Sequence, residues 1–169
     1  MSSQQILLGS GAATEKVYID DLFSSYQHFG NSGTTNVQNG IDLTKGGWVW
    51  GKDRGASAEP RFFNTIQGPL VRMIPANNGT PETVANSLTA FNANGFTLGS
   101  QDDLNDNNKD VITWTMRKQE KFFDMFSYTG NGANRTISHN LGSVPGMIMV
   151  KRIDSSGHWL IYHRGTDST

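Results

Sequence analysis

Four Asn-Gly pairs, Asn39-Gly40, Asn78-Gly79, Asn94-Gly95 and Asn131-Gly132, cut this chain into short apolar segments. Both residues of such a pair tolerate positive φ, so the pair is a strong local signal for a tight turn between strands. Helix-period apolar stripes are scarce, and the clearest period is two. In residues 111–116, Ile112, Trp114 and Met116 alternate with Val111, Thr113 and Thr115, which places the two sets on opposite faces of a strand. Residues 96–98 are the expected partner of that strand, across a polar turn at 100–110, with residues 88–91 preceding them across Asn94-Gly95. Further strands are expected at 26–29, 47–52, 61–63, 70–74, 123–128, 147–150 and 159–162. Many short strands between Gly-rich and Asn-rich turns predict an all-β fold, an antiparallel β-sandwich of jelly-roll or lectin-like type.

A repeat refines that expectation. Phe29-Gly30-Asn31-Ser32-Gly33 resembles Thr129-Gly130-Asn131-Gly132 at an offset of 100, and Gly47-Trp48-Val49-Trp50-Gly51-Lys52 matches Gly146-Met147-Ile148-Met149-Val150-Lys151 at an offset of 99. At the same offset Arg61-Phe62-Phe63 falls on Leu160-Ile161-Tyr162. The chain therefore divides into an N-terminal arm at 1–25, one sandwich unit at 26–122 and the first half of a similar unit at 123–169. A half unit leaves sheet edges and an apolar face unpaired, which predicts continuation in a longer polypeptide, pairing with another subunit, or docking on the first unit.

Composition narrows the functional classes. The 169 residues hold 14 Lys and Arg against 15 Asp and Glu, a net charge of -1, with basic residues scattered singly. That gives no field or patch for nucleic acid. No apolar run approaches the roughly 20 residues of a membrane helix, and the start lacks the basic and long apolar regions of a signal peptide. With no cysteine, disulfide scaffolds and thiolate metal sites are out.

The opening Met1-Ser2-Ser3-Gln4-Gln5 with Leu7-Leu8-Gly9, the run Val17-Tyr18-Ile19-Asp20-Asp21-Leu22-Phe23-Ser24, Asn94-Gly95-Phe96-Thr97-Leu98-Gly99-Ser100, and Ile137-Ser138-His139-Asn140-Leu141-Gly142-Ser143-Val144-Pro145-Gly146-Met147-Ile148 together resemble the N-terminal region of tail-fibre and tail-associated structural proteins of marine, cyanophage-type bacteriophages. The likeness covers nearly the whole chain, and the last run is its most specific phrase. It implies a structural, non-enzymatic component of the virion tail, made in the host cytoplasm, that anchors the fibre to the tail and supports host attachment. Implied partners are other tail proteins of adaptor or nozzle type, further copies in a homotrimer, and host surface glycan through distal parts. No cofactor, nucleic acid or membrane is implied. Gly51 departs from the family strand, which keeps an apolar residue there, and puts the packing of that strand in question.

Candidate sites follow from residue type. Val17, Ile19, Leu22 and Phe23 beside acidic Asp20 and Asp21 form an apolar patch suited to docking on a tail partner; a flexible arm closing over its own sandwich is the alternative. Trp48, Trp50 and Trp159 could stack on sugar rings of a host glycan, the basis of a second functional reading as a carbohydrate-binding sandwich; core packing is the plainer role for Trp48 and Trp50. Residues 102–108 alternate oxygen ligands as a calcium loop does but lack its central glycine and late Glu, so a solvated hairpin loop is expected. His28, His139, His158 and His163 include no close helical pair. Asp53, Glu59, Asp124 and Asp154 are the carboxylates from which a glycoside-hydrolysing pair would have to be drawn, the basis of a third reading as a depolymerase.

Overall fold

The computed structural model describes residues 16–101 and 104–166, and the protein is all-β with antiparallel sheets of six, three and two strands. Two 3-10 turns, Ile19–Asp21 and Leu43–Lys45, are the helical elements among the described residues. The strands are β1 (Phe23–Phe29), β2 (Thr35–Val37), β3 (Gly47–Asp53), β4 (Arg61–Asn64), β5 (Val71–Met73), β6 (Glu82–Thr83), β7 (Leu88–Asn92), β8 (Gly95–Leu98), β9 (Asp110–Arg117), β10 (Met147–Lys151) and β11 (Trp159–His163).

The large sheet runs β1-β9-β3-β4-β5-β6, and the three-stranded sheet runs β2-β8-β7. Val49, Phe63 and Val111 from the first face Val37, Leu88, Phe96 and Leu98 from the second, with Ile41, Leu43 and Leu104 completing a fully buried core. That is a β-sandwich, as the turn and strand pattern predicts.

The pairing of β9 differs from the expected meander. β8 pairs with β2 and β7, whereas β9 crosses to the other sheet and pairs along seven residues each with β1 and β3. Its inward face is Val111, Thr113, Thr115 and Arg117, while Ile112, Trp114 and Met116 point outward and stay half-buried. Threonines can face the core because their hydroxyls are satisfied: Thr113 Oγ1 donates to the Tyr26 carbonyl at 3.1 Å, and Thr115 Oγ1 accepts from Asn39 Nδ2 at 2.8 Å.

Of the Asn-Gly pairs, Asn94-Gly95 closes a hairpin, between β7 and β8. Gly95 has φ +94°, and a Cβ there would lie 2.0 Å from the Val37 carbonyl oxygen, so both conformation and space require glycine. Asn39-Gly40 instead leads from β2 into the second 3-10 turn, and Asn78-Gly79 and Asn131-Gly132 lie in longer loops.

The segment 102–108 is not a solvated loop where it is described. Leu104 fills the core and Asn105 is fully buried. Asn105 Nδ2 donates to the Gly33 and Gly99 carbonyls at 2.6 and 2.7 Å, and its Oδ1 accepts from Thr35 Oγ1 at 3.1 Å. This side chain ties the β8–β9 crossing to the start of β2.

Residues 118–145 carry no ladder beyond one bridge between Gln119 and Phe123, so no strand forms at 123–128. The reason is visible in the first unit. At an offset of 100, residues 123–129 correspond to β1, which is a strand through its full-length pairing with β9. Residues 135–137 correspond to β2, which pairs with β8. Among the described residues the second unit has no counterpart of β8 or β9, and an extended segment without a partner gains no ladder.

Candidate interaction surface

β10 and β11 form a separate two-stranded hairpin that reproduces β3 and β4. In the first pair Trp48 faces Asn64, Val49 faces Phe63, Trp50 faces Phe62 and Gly51 faces Arg61. Shifted by 99 positions these become Met147–His163, Ile148–Tyr162, Met149–Ile161 and Val150–Leu160, which are the pairs observed. The flanking hydrogen bond shifts with them: Thr65 N donates to the Gly47 carbonyl and Arg164 N to the Gly146 carbonyl, both at 3.0 Å. The upstream turn repeats too, with Asn31 Oδ1 accepting from Gly33 N at 2.8 Å and Asn131 Oδ1 from Ala133 N at 3.1 Å.

The environments of the two hairpins differ. Val49 and Phe63 are 0% exposed beneath the three-stranded sheet, whereas their counterparts Ile148 and Tyr162 are 44% and 41% exposed and Leu160 is 67% exposed. Ladder geometry puts Ile148, Val150, Leu160 and Tyr162 on one face of the hairpin, and among the described residues nothing covers that face as β2, β7 and β8 cover the first. Both hairpin edges are unpaired among the described residues.

On the other face of the hairpin Trp159 leans on the first unit, while Met147, Met149 and Ile161 are exposed. The Trp159 ring meets Phe62 edge-on, centroids 5.7 Å apart, and Phe62 also contacts Trp48 at 5.6 Å and Trp50 at 5.9 Å. Phe123 closes on Trp48 at 6.3 Å. Backbone contacts reinforce the seat, with Gly157 N donating to the Asn78 carbonyl at 2.9 Å and Lys151 Nζ to the same oxygen at 3.3 Å. The three tryptophans singled out for sugar stacking thus converge on Phe62, a residue that sequence reasoning did not nominate. Trp48 and Trp50 lie on the outward face of β3, outside the core between the sheets, and are half-buried. The signal that could have found Phe62 is the alternation itself, since Phe62 is the registered partner of Trp50.

The N-terminal patch is only partly a surface. Ile19 is 58% exposed, and Val17 and Phe23 are also exposed, but Leu22 is 6% exposed and belongs to the folded body. β1 begins at Phe23, so the sandwich starts ahead of the expected boundary at 25, and residues 1–15 of the arm lie outside the described residues.

Electrostatics distribute rather than concentrate charge. At Asp53 burial opposes ionisation, but the Lys109 ammonium, 3.1 Å away, and the Gly55 N–H, at 2.8 Å, outweigh it and hold the carboxyl below the usual range. Asp124 is likewise kept low against burial by Lys118 at 2.8 Å and the Asn140 N–H, and Asp154 by Arg152 at 2.6 Å. Each of these acids has its own cation, and none is the raised carboxyl that a general acid needs. No group of three or more His, Asp or Glu is placed to hold a metal among the described residues.

Shallow grooves open among the described residues. One, of about 440 Å³, is lined by Pro75, Ala76, Asn77, Asn78, His158 and Trp159. Another, of about 360 Å³, surrounds the Asn131 turn between Tyr128 and Ile137. Trp159 Nε1 is buried beside the first without a hydrogen-bond partner.

Residues 20–169 match the family DUF7483, described as a domain of unknown function. No curated protein matches the chain, and no solved structure does.

Proposed function

We propose that this chain, which belongs to the DUF7483 family, is a non-enzymatic structural component of a bacteriophage tail fibre, carried in the virion tail, that anchors the fibre to the tail and supports host attachment. The observation that carries the reading is the second hairpin. It repeats β3–β4 in register yet presents its core-type face, Ile148, Leu160 and Tyr162, to solvent. A contiguous exposed apolar face of this kind is what an assembling subunit offers and what a free monomer avoids. Self-association as a homotrimer would bury it. Val17, Ile19 and Phe23, beside Asp20 and Asp21, serve as the contact for a tail protein of adaptor or nozzle type. The test is solution mass by light scattering after size exclusion: a particle of three chains is expected, and a stable monomer at micromolar concentration overturns the homotrimer and with it the fibre reading.

A second reading, a carbohydrate-binding sandwich for host surface glycan, draws on the groove where Trp159 lies beside Asn77, Asn78 and His158. It requires tryptophan fluorescence to change on titration with host oligosaccharide and Trp159→Ala to remove the change. A flat titration in the intact protein eliminates it.

A further inference from the structure

The four Asn-Gly pairs that mark turns are also places where the backbone can react with its own side chain. With no side chain on glycine its amide nitrogen is unshielded, and it can reach the carbonyl carbon of the Asn side chain when that nitrogen is free and the turn has room. The fold treats the four pairs differently.

Asn39-Gly40 and Asn94-Gly95 lock each other. Gly40 N donates to Asn94 Oδ1 at 2.7 Å, Gly95 N to the Ile41 carbonyl at 2.7 Å, and Asn39 Nδ2 to Thr115 Oγ1 at 2.8 Å. At Asn78-Gly79 the glycine nitrogen donates to Asn77 Oδ1 at 2.9 Å. At Asn131-Gly132 the glycine nitrogen has no acceptor among the described residues. Residues 131–133 are exposed, Gly132 has φ +74°, and a Cβ built on it meets nothing within 4 Å. Ala133 N donates to Asn131 Oδ1 at 3.1 Å, which puts an N–H on the oxygen where negative charge gathers when the adjoining carbon is attacked. The repeat supplies a contrast: the corresponding Asn31 is followed by Ser32 instead of glycine, and Ser32 N donates to the Asn105 carbonyl at 2.7 Å.

We propose that Asn131 is a modification site, where the chain deamidates itself through a succinimide ahead of the other three pairs. Gly132 N gives up its proton and bonds to Asn131 Cγ, the Cγ–Nδ2 bond breaks, and ammonia leaves with that proton. Water then opens the ring. Cleavage of the new Cγ–N bond yields aspartate, and cleavage of the backbone C–N bond yields isoaspartate, with one more methylene in the main chain. Amide and water become carboxylate and ammonium, with no oxidant and no enzyme. The new charge appears on the rim of the groove of about 360 Å³ that Asn131 shares with Arg135, whose guanidinium lies 5.4 Å from the Tyr128 ring centroid. A neutral turn thereby becomes acidic in one direction only, on a rim that already carries a cation, while the sandwich core is untouched.

The test follows all four pairs in the intact protein, held in warm, mildly alkaline buffer, by peptide mapping with fragmentation that separates aspartate from isoaspartate. Asn131 should convert first and give both products. Asn78 should lag by about twofold to tenfold, and Asn39 and Asn94 by more than about tenfold, from the one hydrogen bond or the two that must open before reaction. In guanidinium chloride the four rates should draw together, because each pair is the same two residues and the bonds of the fold are gone. Asn94→Ala, which removes the acceptor of Gly40 N, should speed conversion at Asn39 in the folded protein by about twofold to tenfold. An unconverted Asn131, faster conversion at any of the other three, aspartate without isoaspartate, a folded ranking that persists in denaturant, or an unchanged Asn39 in Asn94→Ala would overturn the proposal.

Discussion

Leu104 occupies the space that a side chain at position 51 would need: a Cβ built on Gly51 lies 2.6 Å from both Cδ atoms of Leu104. Leu104 comes from the crossing between the two sheets, is 1% exposed, and fills the core where β3 lacks a side chain. The glycine that departs from the resembling family strand is thus a socket, and the core stays packed because a residue about fifty positions away supplies the missing volume.

Gly51→Val should destabilise the protein by about 1–3 kcal/mol through overpacking, and Leu104→Ala by about 2–5 kcal/mol through a cavity. Combined, they should cost clearly less than the sum, because the valine enters the space the leucine leaves. Urea unfolding of the two single variants and the double variant measures the coupling; strict additivity would refute the contact.

Asn105→Ala should cost about 2–4 kcal/mol, since it removes the donor to the buried Gly99 carbonyl and to the half-buried Gly33 carbonyl. Asn105→Asp should not rescue it, because a carboxylate cannot donate to a carbonyl. Thermal unfolding of both variants checks this, and wild-type stability in Asn105→Asp would show that the donor role is dispensable.

Acid should destabilise the fold in two windows. Burial lowers the His28 pKa, only partly countered by the Leu104 carbonyl and Asp110; that carbonyl, 3.0 Å from Nε2, can only accept, so Nε2 carries the proton and the buried Nδ1 has no partner. The unfolded chain gains a proton near pH 6.5 that the folded chain refuses, so stability falls as pH drops from about 6.5 to the lowered value. Asp53 titrates low in the fold, so its contribution is present above about pH 3.9 and is lost as pH falls through its folded pKa. His28→Gln should flatten the first window and Asp53→Asn should shrink the second, which Asp124 shares, read from urea midpoints between pH 7 and pH 2.

Trp159→Ala should free the second hairpin without loosening the sandwich, because its ring contact with Phe62 is made outside the core cluster. Hydrogen exchange should accelerate across β10 and β11 and stay unchanged in β3 and β9. Equal acceleration everywhere would mean that the hairpin is integral to the first unit.

Short strands, tight turns and the scarcity of helix among the described residues were legible because each is a local property: alternation in Trp48-Val49-Trp50 and Gly at Gly95 leave marks within a few residues. Strand partners were not. β9 bonds to β1 and β3 across more than fifty intervening residues, and a ladder between distant segments imposes no pattern on either that a nearer partner would not also accept. Nor was the inward face of β9, since the more apolar set, Ile112, Trp114 and Met116, points out, while Thr113 and Thr115 face in once Tyr26 and Asn39 satisfy them. The candidate surface divides the same way. Sequence placed the second hairpin and nominated Trp159 in it and Trp48 and Trp50 in β3. The gathering of Trp48, Trp50 and Trp159 on Phe62, the burial of Leu22, and the open face of β10 and β11 were decided by tertiary structure, because burial is set by what other segments bring to a face.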